Sequence, residues 1–162
     1  MAQKRKSAQQ PAKPSVLRRT VVDNKKARHL FEILDEYEAG MVLRGTEVKV
    51  LREGRISLDE AFGRIYDNDV FLVGAHIDAY SHASSGNHEP TRRRKLLLHR
   101  AEIRKLKAKV NQKGLTLVPL EVFFNERGIA KIRLGLCRGK KLHDKRQDLK
   151  KKDADREMKR MR

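Results

Sequence analysis

Apolar and polar positions switch period several times along this chain, and each switch predicts an element. Ala130, Ile132, Leu134 and Leu136 alternate with Lys131, Arg133 and Gly135, the period of a strand with one buried face. Beyond that strand the chain is almost wholly polar to Arg162. Residues 28–43 read as a long or bent strand, with Phe31, Ile33 and Tyr37 on one parity and Glu32, Glu36 and Glu38 on the other. Asp35 interrupts the buried parity and predicts a bulge or bend there. Residues 56–77 predict two strands joined at Asp67-Asn68, residue types that tolerate tight turns. Leu115–Phe124 is a further strand, 125–128 a turn and 129–137 the last strand.

Two stretches change to helical spacing. Residues 45–53 predict a short helix with Thr46 as N-cap, Val48 and Leu51 on one face, and Gly54 as its stop. Residues 101–112 predict a second helix, with Ile103, Leu106 and Val110 three and four apart and Gly114 ending it. Residues 78–90 are small and polar, a loop. Order begins near Val21 and Val22. Short strands with interposed helices predict a mainly β domain, an antiparallel OB-like barrel, partly open, with two or three short helices.

Charge changes the picture at the ends. The 162 residues carry a formal charge of +18. Residues 1–19 hold six basic residues and no acid, and 138–162 hold twelve basic and five acidic. The expected organisation is a disordered basic arm over 1–20, a barrel over 21–137 and a basic tail over 138–162. The arm has too few large apolar groups to offset its ordering entropy. In the tail, Asp148 and Lys152, and Asp155 and Lys159, sit four apart and support a helix that forms only when bound. Such arms attract polyanions, above all nucleic acid, whose phosphates release counterions on neutralisation. An anionic membrane is the weaker alternative, because the tail lacks a large apolar face. No run approaches the roughly 20 apolar residues of a membrane span, and a lone Cys137 with no secretory signal fits the cytoplasm.

Candidate chemistry is sparse. The six histidines show no zinc spacing, and His88-Glu89 is followed at once by Pro90, so it is no H-E-x-x-H helix. Cys137 and His143 lack an orienting third group, and carboxylates are scattered singly. No cofactor or metal is expected, and catalysis is not. Thr91-Arg92-Arg93-Arg94-Lys95 is different: adjacent arginines repel one another unless anions lie between them, and arginine pairs phosphate bidentately. Asn24-Lys25-Lys26-Ala27-Arg28 is a second such patch. Aromatic residues are 5% of the chain, which favours reading of folded RNA by shape over stacking along a single strand.

Several short motifs occur in order: Asn24-Lys25-Lys26-Ala27-Arg28, Tyr37-Glu38-Ala39-Gly40, Gly45-Thr46-Glu47-Val48-Lys49, Asn87-His88-Glu89-Pro90, Arg94-Lys95-Leu96-Leu97-Leu98-His99, then Gly139-Lys140-Lys141 and His143-Asp144-Lys145-Arg146. Together they resemble the bacterial small protein B family, the SsrA-binding proteins of trans-translation, over residues 21–152. The resemblance implies an OB-like barrel that binds the tRNA-like domain of transfer-messenger RNA. It also implies a C-terminal tail that enters the empty mRNA channel of a stalled ribosome, in a monomeric adaptor that is not an enzyme. By matching position, Asn24, Lys25, Lys26, Arg28, Glu38 and Lys49 would lie on or brace the RNA-binding face. Arg92, Arg94, Lys95 and Leu97 would form a second part of it. Gly139, Lys140 and Lys141 would lead into the tail. There His143 would stack on a base, Asp144 would cap a helix, and Lys145 and Arg146 would contact phosphates, in the decoding centre. Val50 stands where the family often has serine, and the basic start over 1–19 is outside the shared pattern. A small ribosomal or assembly protein is the alternative reading, and an RNA-processing enzyme a more distant one.

Overall fold

The computed structural model describes residues 18–83, 86–111, 114–141 and 158. The elements run β1 (Arg19–Asp23), α1 (Lys25–Leu30), β2 (Phe31–Met41), α2 (Gly45–Arg52), β3 (Ile56–Ser57), β4 (Phe62–Tyr66), β5 (Asp69–Val73), β6 (His76–Ile77), β7 (Arg94–Leu97), α3 (Arg100–Val110), β8 (Leu115–Phe124) and β9 (Ala130–Gly139). The main sheet is antiparallel, in the order β1-β8-β4-β5-β7-β2-β9, and a further β8–β9 pairing closes six of its strands into a barrel. The seam is thin. β4 and β8 meet at one register pair, Gly63 with Leu117, so the barrel is partly open there, as the strand pattern predicts. β3 and β6 form a separate small sheet.

Two bulges decide which side chains reach the core. On β2 the register slips between Ile33 and Asp35. One extra residue sends every later side chain to the opposite face. Phe31 and Ile33 therefore pack with Ala27, Val118, Leu120 and Cys137, while Tyr37, Ala39 and Met41 turn into the barrel. On β8 the slip lies between Pro119 and Glu121, and it moves Val122 and Phe124 into the core that Leu117 already occupies. The barrel interior also takes Val50 and Leu51 from α2 and Ile103 and Leu106 from α3. The small outer cluster is roofed by α1 through Ala27.

Several expectations change: residues 56–77 hold four strands where two were expected, the extra pair being the two-residue strands of the small sheet. Residues 28–30 are helical and not strand: they close α1, which Asn24 caps by accepting from the Ala27 N–H at 3.0 Å. A six-residue helix with one buried side chain leaves no periodicity to read. Thr46 is not the N-cap of α2. The helix starts at Gly45, the Arg44 N–H is taken by Glu47 at 2.7 Å, and the Thr46 hydroxyl bonds His88 instead. Finally, Arg19 and Thr20, at the end of the stretch read as an arm, are the first residues of β1. The bulge near Asp35, the Asp67-Asn68 turn and the β8 bounds are as the pattern predicts. Asp67 adopts φ 53° in that turn, a left-handed conformation that aspartate tolerates better than most residues.

Candidate nucleic-acid interface

The Asn24-to-Arg28 patch and the Gly139-to-Lys141 exit are far apart in sequence and adjacent in space. The Lys140 N–H donates to the Leu30 carbonyl at 3.0 Å, and its Nζ to the Arg28 carbonyl at 3.4 Å. Basic residues of α1 and the start of the C-terminal tail therefore share one side of the barrel. Lys25 and Lys26 are exposed there, Lys26 beside Asp59 at 2.9 Å. Arg28 stands 3.6 Å from Asp23, with 43% of its side chain exposed. Asn24 is buried: besides capping α1, its Nδ2 donates to the Pro119 carbonyl at 3.0 Å. It braces the patch from below.

The outer face of β2, β9 and β8 carries a ladder of alternating charge. Lys131 lies 3.6 Å from Glu38, Arg133 lies 3.7 Å from both Glu36 and Glu121, and Arg18 pairs with Glu121. Arg18 also sits 3.5 Å above the Phe123 ring. Glu38 keeps 53% of its side chain exposed. Its carboxylate faces solvent beside Lys131, with acceptor capacity left over. Gly40, two residues on, pairs with both Lys131 and Leu97. Leu97, 54% exposed, thus continues the Glu38 surface. Lys95 lies on the same outer face of β7, 2.6 Å from Asp69.

Arg94 is a correction. Its side chain is fully buried: Nε donates to Glu47 at 2.9 Å, Nη1 to the Ala75 carbonyl at 2.7 Å, and Nη2 to the Pro90 carbonyl at 2.8 Å. A guanidinium so enclosed cannot reach RNA. Arg92 is mostly spent in the same way, gripping Glu47 with Nε at 2.8 Å and with Nη2, and reaching the Val42 carbonyl at 3.2 Å. Burial pushes the Glu47 carboxyl up, but bonds from Arg92, the Arg44 N–H and Arg94 outweigh it and hold it below the ordinary carboxylate range. The pair of basic residues and one acid is thus a strut from α2 to β7 and the loop before it.

The Asn87-His88-Glu89-Pro90 motif is a second strut. Buried His88 accepts from the Thr46 hydroxyl through Nδ1 at 2.9 Å and donates through Nε2 to the Ile77 carbonyl at 3.2 Å. Asn87 clamps both backbone groups of Tyr80, at 3.1 and 2.8 Å. The Tyr80 ring then lies 4.9 Å from Lys49 Nζ, which settles the lysine's place on the α2 surface.

Cys137 is buried against Ala27, Val118 and Leu120, and burial, followed by the charge of Glu36, pushes its thiol up to about 11. That is the chemistry of a core residue and not of a nucleophile. No group of three or more His, Cys, Asp or Glu is placed to hold a metal ion among the described residues. Nor is any described helix long and apolar enough to cross a membrane. His143, Asp144, Lys145 and Arg146 lie outside the described residues. The charge ladder partners Arg18, Glu121, Lys131 and Arg133 were not singled out by motif. The polar parity of the last strand was the trace of Lys131 and Arg133, and the basic start that of Arg18; Glu121 left none.

Known proteins resemble the chain over most of its length. The family model described as SmpB protein matches residues 21–162. The SsrA-binding protein of Syntrophobacter fumaroxidans is 50% identical over 152 residues, covering 93% of this chain and 94% of the relative. That of Agrobacterium fabrum is 49% identical over 146 residues, 90% of this chain and 91% of the relative. That of Salinispora arenicola is 55% identical over 141 residues, 87% and 88%. A chain of the solved structure "tmRNA-SmpB: a journey to the center of the bacterial ribosome" superposes with a TM-score of 0.64 at 53% identity, over 75% of this chain and 85% of that one. With the ordered motifs, the barrel and these matches in hand, the chain belongs to the SmpB family of SsrA-binding proteins.

Proposed function

We propose that this chain is an RNA-binding adaptor of trans-translation. It binds the tRNA-like domain of transfer-messenger RNA, delivers that RNA to stalled ribosomes, and places its C-terminal tail in the empty mRNA channel. The observation that carries the reading is the family match over 21–162, supported by curated relatives named for SsrA binding and a structural neighbour whose description joins tmRNA and the bacterial ribosome. The geometry fits. The exposed Glu38, Lys131, Leu97 and Lys95 surface and the α1 patch present charge and one apolar contact on a rigid barrel, which suits a folded RNA read by shape. The chain acts by binding and not by catalysis, as a monomer in the cytoplasm. Lys140 is tied to α1 at the point where the tail departs, so docking the barrel fixes where the tail begins. His143, Asp144, Lys145 and Arg146 would then work at the decoding centre.

The test separates the two surfaces. Glu38→Ala is expected to weaken binding to the isolated tRNA-like domain roughly tenfold or more, since it removes charged hydrogen bonds. Truncation after Lys141 should leave that binding within about twofold, the tail's only RNA contacts being proposed elsewhere, and abolish peptide tagging on stalled ribosomes. Loss of RNA binding on truncation would overturn the division of labour. A chain recovered one-to-one with all ribosomes, without transfer-messenger RNA, would point to a resident ribosomal protein.

A further inference from the structure

The β4–β5 hairpin holds a constellation that the docking surface above does not include. Arg64, Phe71 and Lys95 are directly opposed on neighbouring strands, as are Tyr66 and Asp69. Val70 and Leu72 point into the core, so Arg64, Tyr66, Asp69, Phe71 and Lys95 all face outward. This face therefore runs on from Lys95 and Leu97. Phe71 meets the Tyr66 ring edge-on, with centroids 5.7 Å apart. Two guanidiniums ride over that same ring, Arg64 at 5.2 Å and Arg93 at 5.4 Å.

Neither arginine has a carboxylate partner among the described residues, because the nearby Asp69 is held by Lys95 at 2.6 Å. The contrast with Arg18 is direct: that guanidinium sits 3.5 Å above Phe123 and is fixed by Glu121. Arg64 and Arg93 lie farther from their ring and are fixed by nothing acidic. Beside them, a groove of about 480 Å³ is lined by Asn68, Asp69, Arg100, Ile103 and Arg104. Arg100 and Arg104 are one helical turn apart and also lack carboxylate partners among the described residues. Like charges at that spacing cost stability unless an anion lies between them.

We propose that the Arg64 and Arg93 guanidiniums, seated over the Tyr66 ring, are a stacking platform for an unpaired RNA base, and that Arg100 and Arg104 hold the adjoining phosphates. A guanidinium backed by an aromatic ring can both stack on a base and pair a phosphate. An acidic peptide would pair the arginines' charge but would leave their planar faces without a stacking partner. The occupant is a single-stranded RNA segment next to the folded RNA on the Glu38 surface. This rests on the adaptor reading for its source, which is either transfer-messenger RNA or ribosomal RNA.

The experiment uses the full chain and a fluorescein-labelled 12-nucleotide oligoadenylate, read by anisotropy at low salt. Tyr66→Ala is expected to weaken binding roughly fivefold or more, and Tyr66→Phe to keep it within about twofold. Arg64→Gln with Arg93→Gln is expected to weaken binding and flatten its salt dependence. Thermal melts check that each variant folds. If Tyr66→Ala does not fold, the arginine pair decides. The same variants are then titrated with the isolated tRNA-like domain and with ribosomes, and the arm that loses affinity identifies the source. Oligoadenylate binding unchanged in Tyr66→Ala, or lost equally in Tyr66→Phe, would overturn the platform, as would an unchanged arginine pair. Wild-type protein that ignores the tRNA-like domain but binds oligoadenylate through Tyr66 would sink the adaptor reading and keep the platform.

Discussion

Glu47 is the residue on which the most structure converges. It is fully buried on α2 yet charged, and it binds Arg92, Arg94 and the Arg44 N–H at once. Removing one partner of such a network leaves Arg94 charged and unpaired in the core, a loss of about 3–5 kcal/mol. Glu47→Gln should therefore lower the urea midpoint sharply, whereas Asp59→Asn, at an exposed pair with Lys26, should leave it unchanged. The pH dependence follows from the sign of the shift. Glu47 is held below its ordinary value of 4.5, so the folded chain takes up its proton only at lower pH than the unfolded chain does. Its contribution is complete above that value and is lost as pH falls through the folded one. Wild-type stability should drop in acid below about pH 4.5, and Glu47→Gln should show a flatter profile. In the sequence, Arg94 read as an RNA contact and Glu47 stood only within a motif, with nothing to mark either as buried. Residue type reports burial poorly when two opposite charges neutralise each other across 47 positions. Conversely, Lys25, Lys26, Arg28, Glu38, Lys95 and Leu97 were marked by motif, and each keeps solvent exposure in the fold.

At the scale of elements, most strands were legible because the barrel keeps one face dry and alternation survives. What alternation could not show is where it changes sides. The β2 bulge was marked by Asp35 breaking parity, but the β8 bulge lies in Leu-Val-Pro-Leu-Glu-Val, where apolar residues fall on both parities since both faces are buried. Nor could the sequence show that Gly63 sits at the one β4–β8 pairing that completes the ring. A Cβ at Gly63 would lie 2.8 Å from the Leu117 Cβ, closer than side-chain carbons pack, and the seam has no second register pair to share the displacement. Gly63→Ala should therefore destabilise by about 1–3 kcal/mol through overpacking. In a Leu117→Gly background, where the clashing Cβ is gone, it should cost measurably less, the coupling of a double-mutant cycle in denaturant. Equal costs in both backgrounds would mean the seam is looser than the Gly63 and Leu117 positions imply.

For the whole molecule, the distribution of charge matters more than its total. Of the +18, residues 142–162 contribute nine basic and five acidic residues, while the barrel carries its own exposed basic patch at Lys25, Lys26 and Arg28. Each phosphate neutralised by a bound cation releases counterions, giving a log–log salt slope of roughly 0.7–0.9 per contact. The slope therefore counts which charges sit on which RNA. If the barrel grips the tRNA-like domain by itself, truncation after Lys141 should leave the slope for that RNA unchanged within about one contact. If the tail works on ribosomal RNA, the same truncation should reduce the slope for ribosome binding by several contacts. Both are measured by titrating full-length and truncated chains at a series of salt concentrations. A tail that merely raises local cation density would lower both slopes together, because non-specific attraction does not distinguish one polyanion from another. A fall in the ribosome slope with no change in the other is what a docked barrel with a separately engaged tail requires.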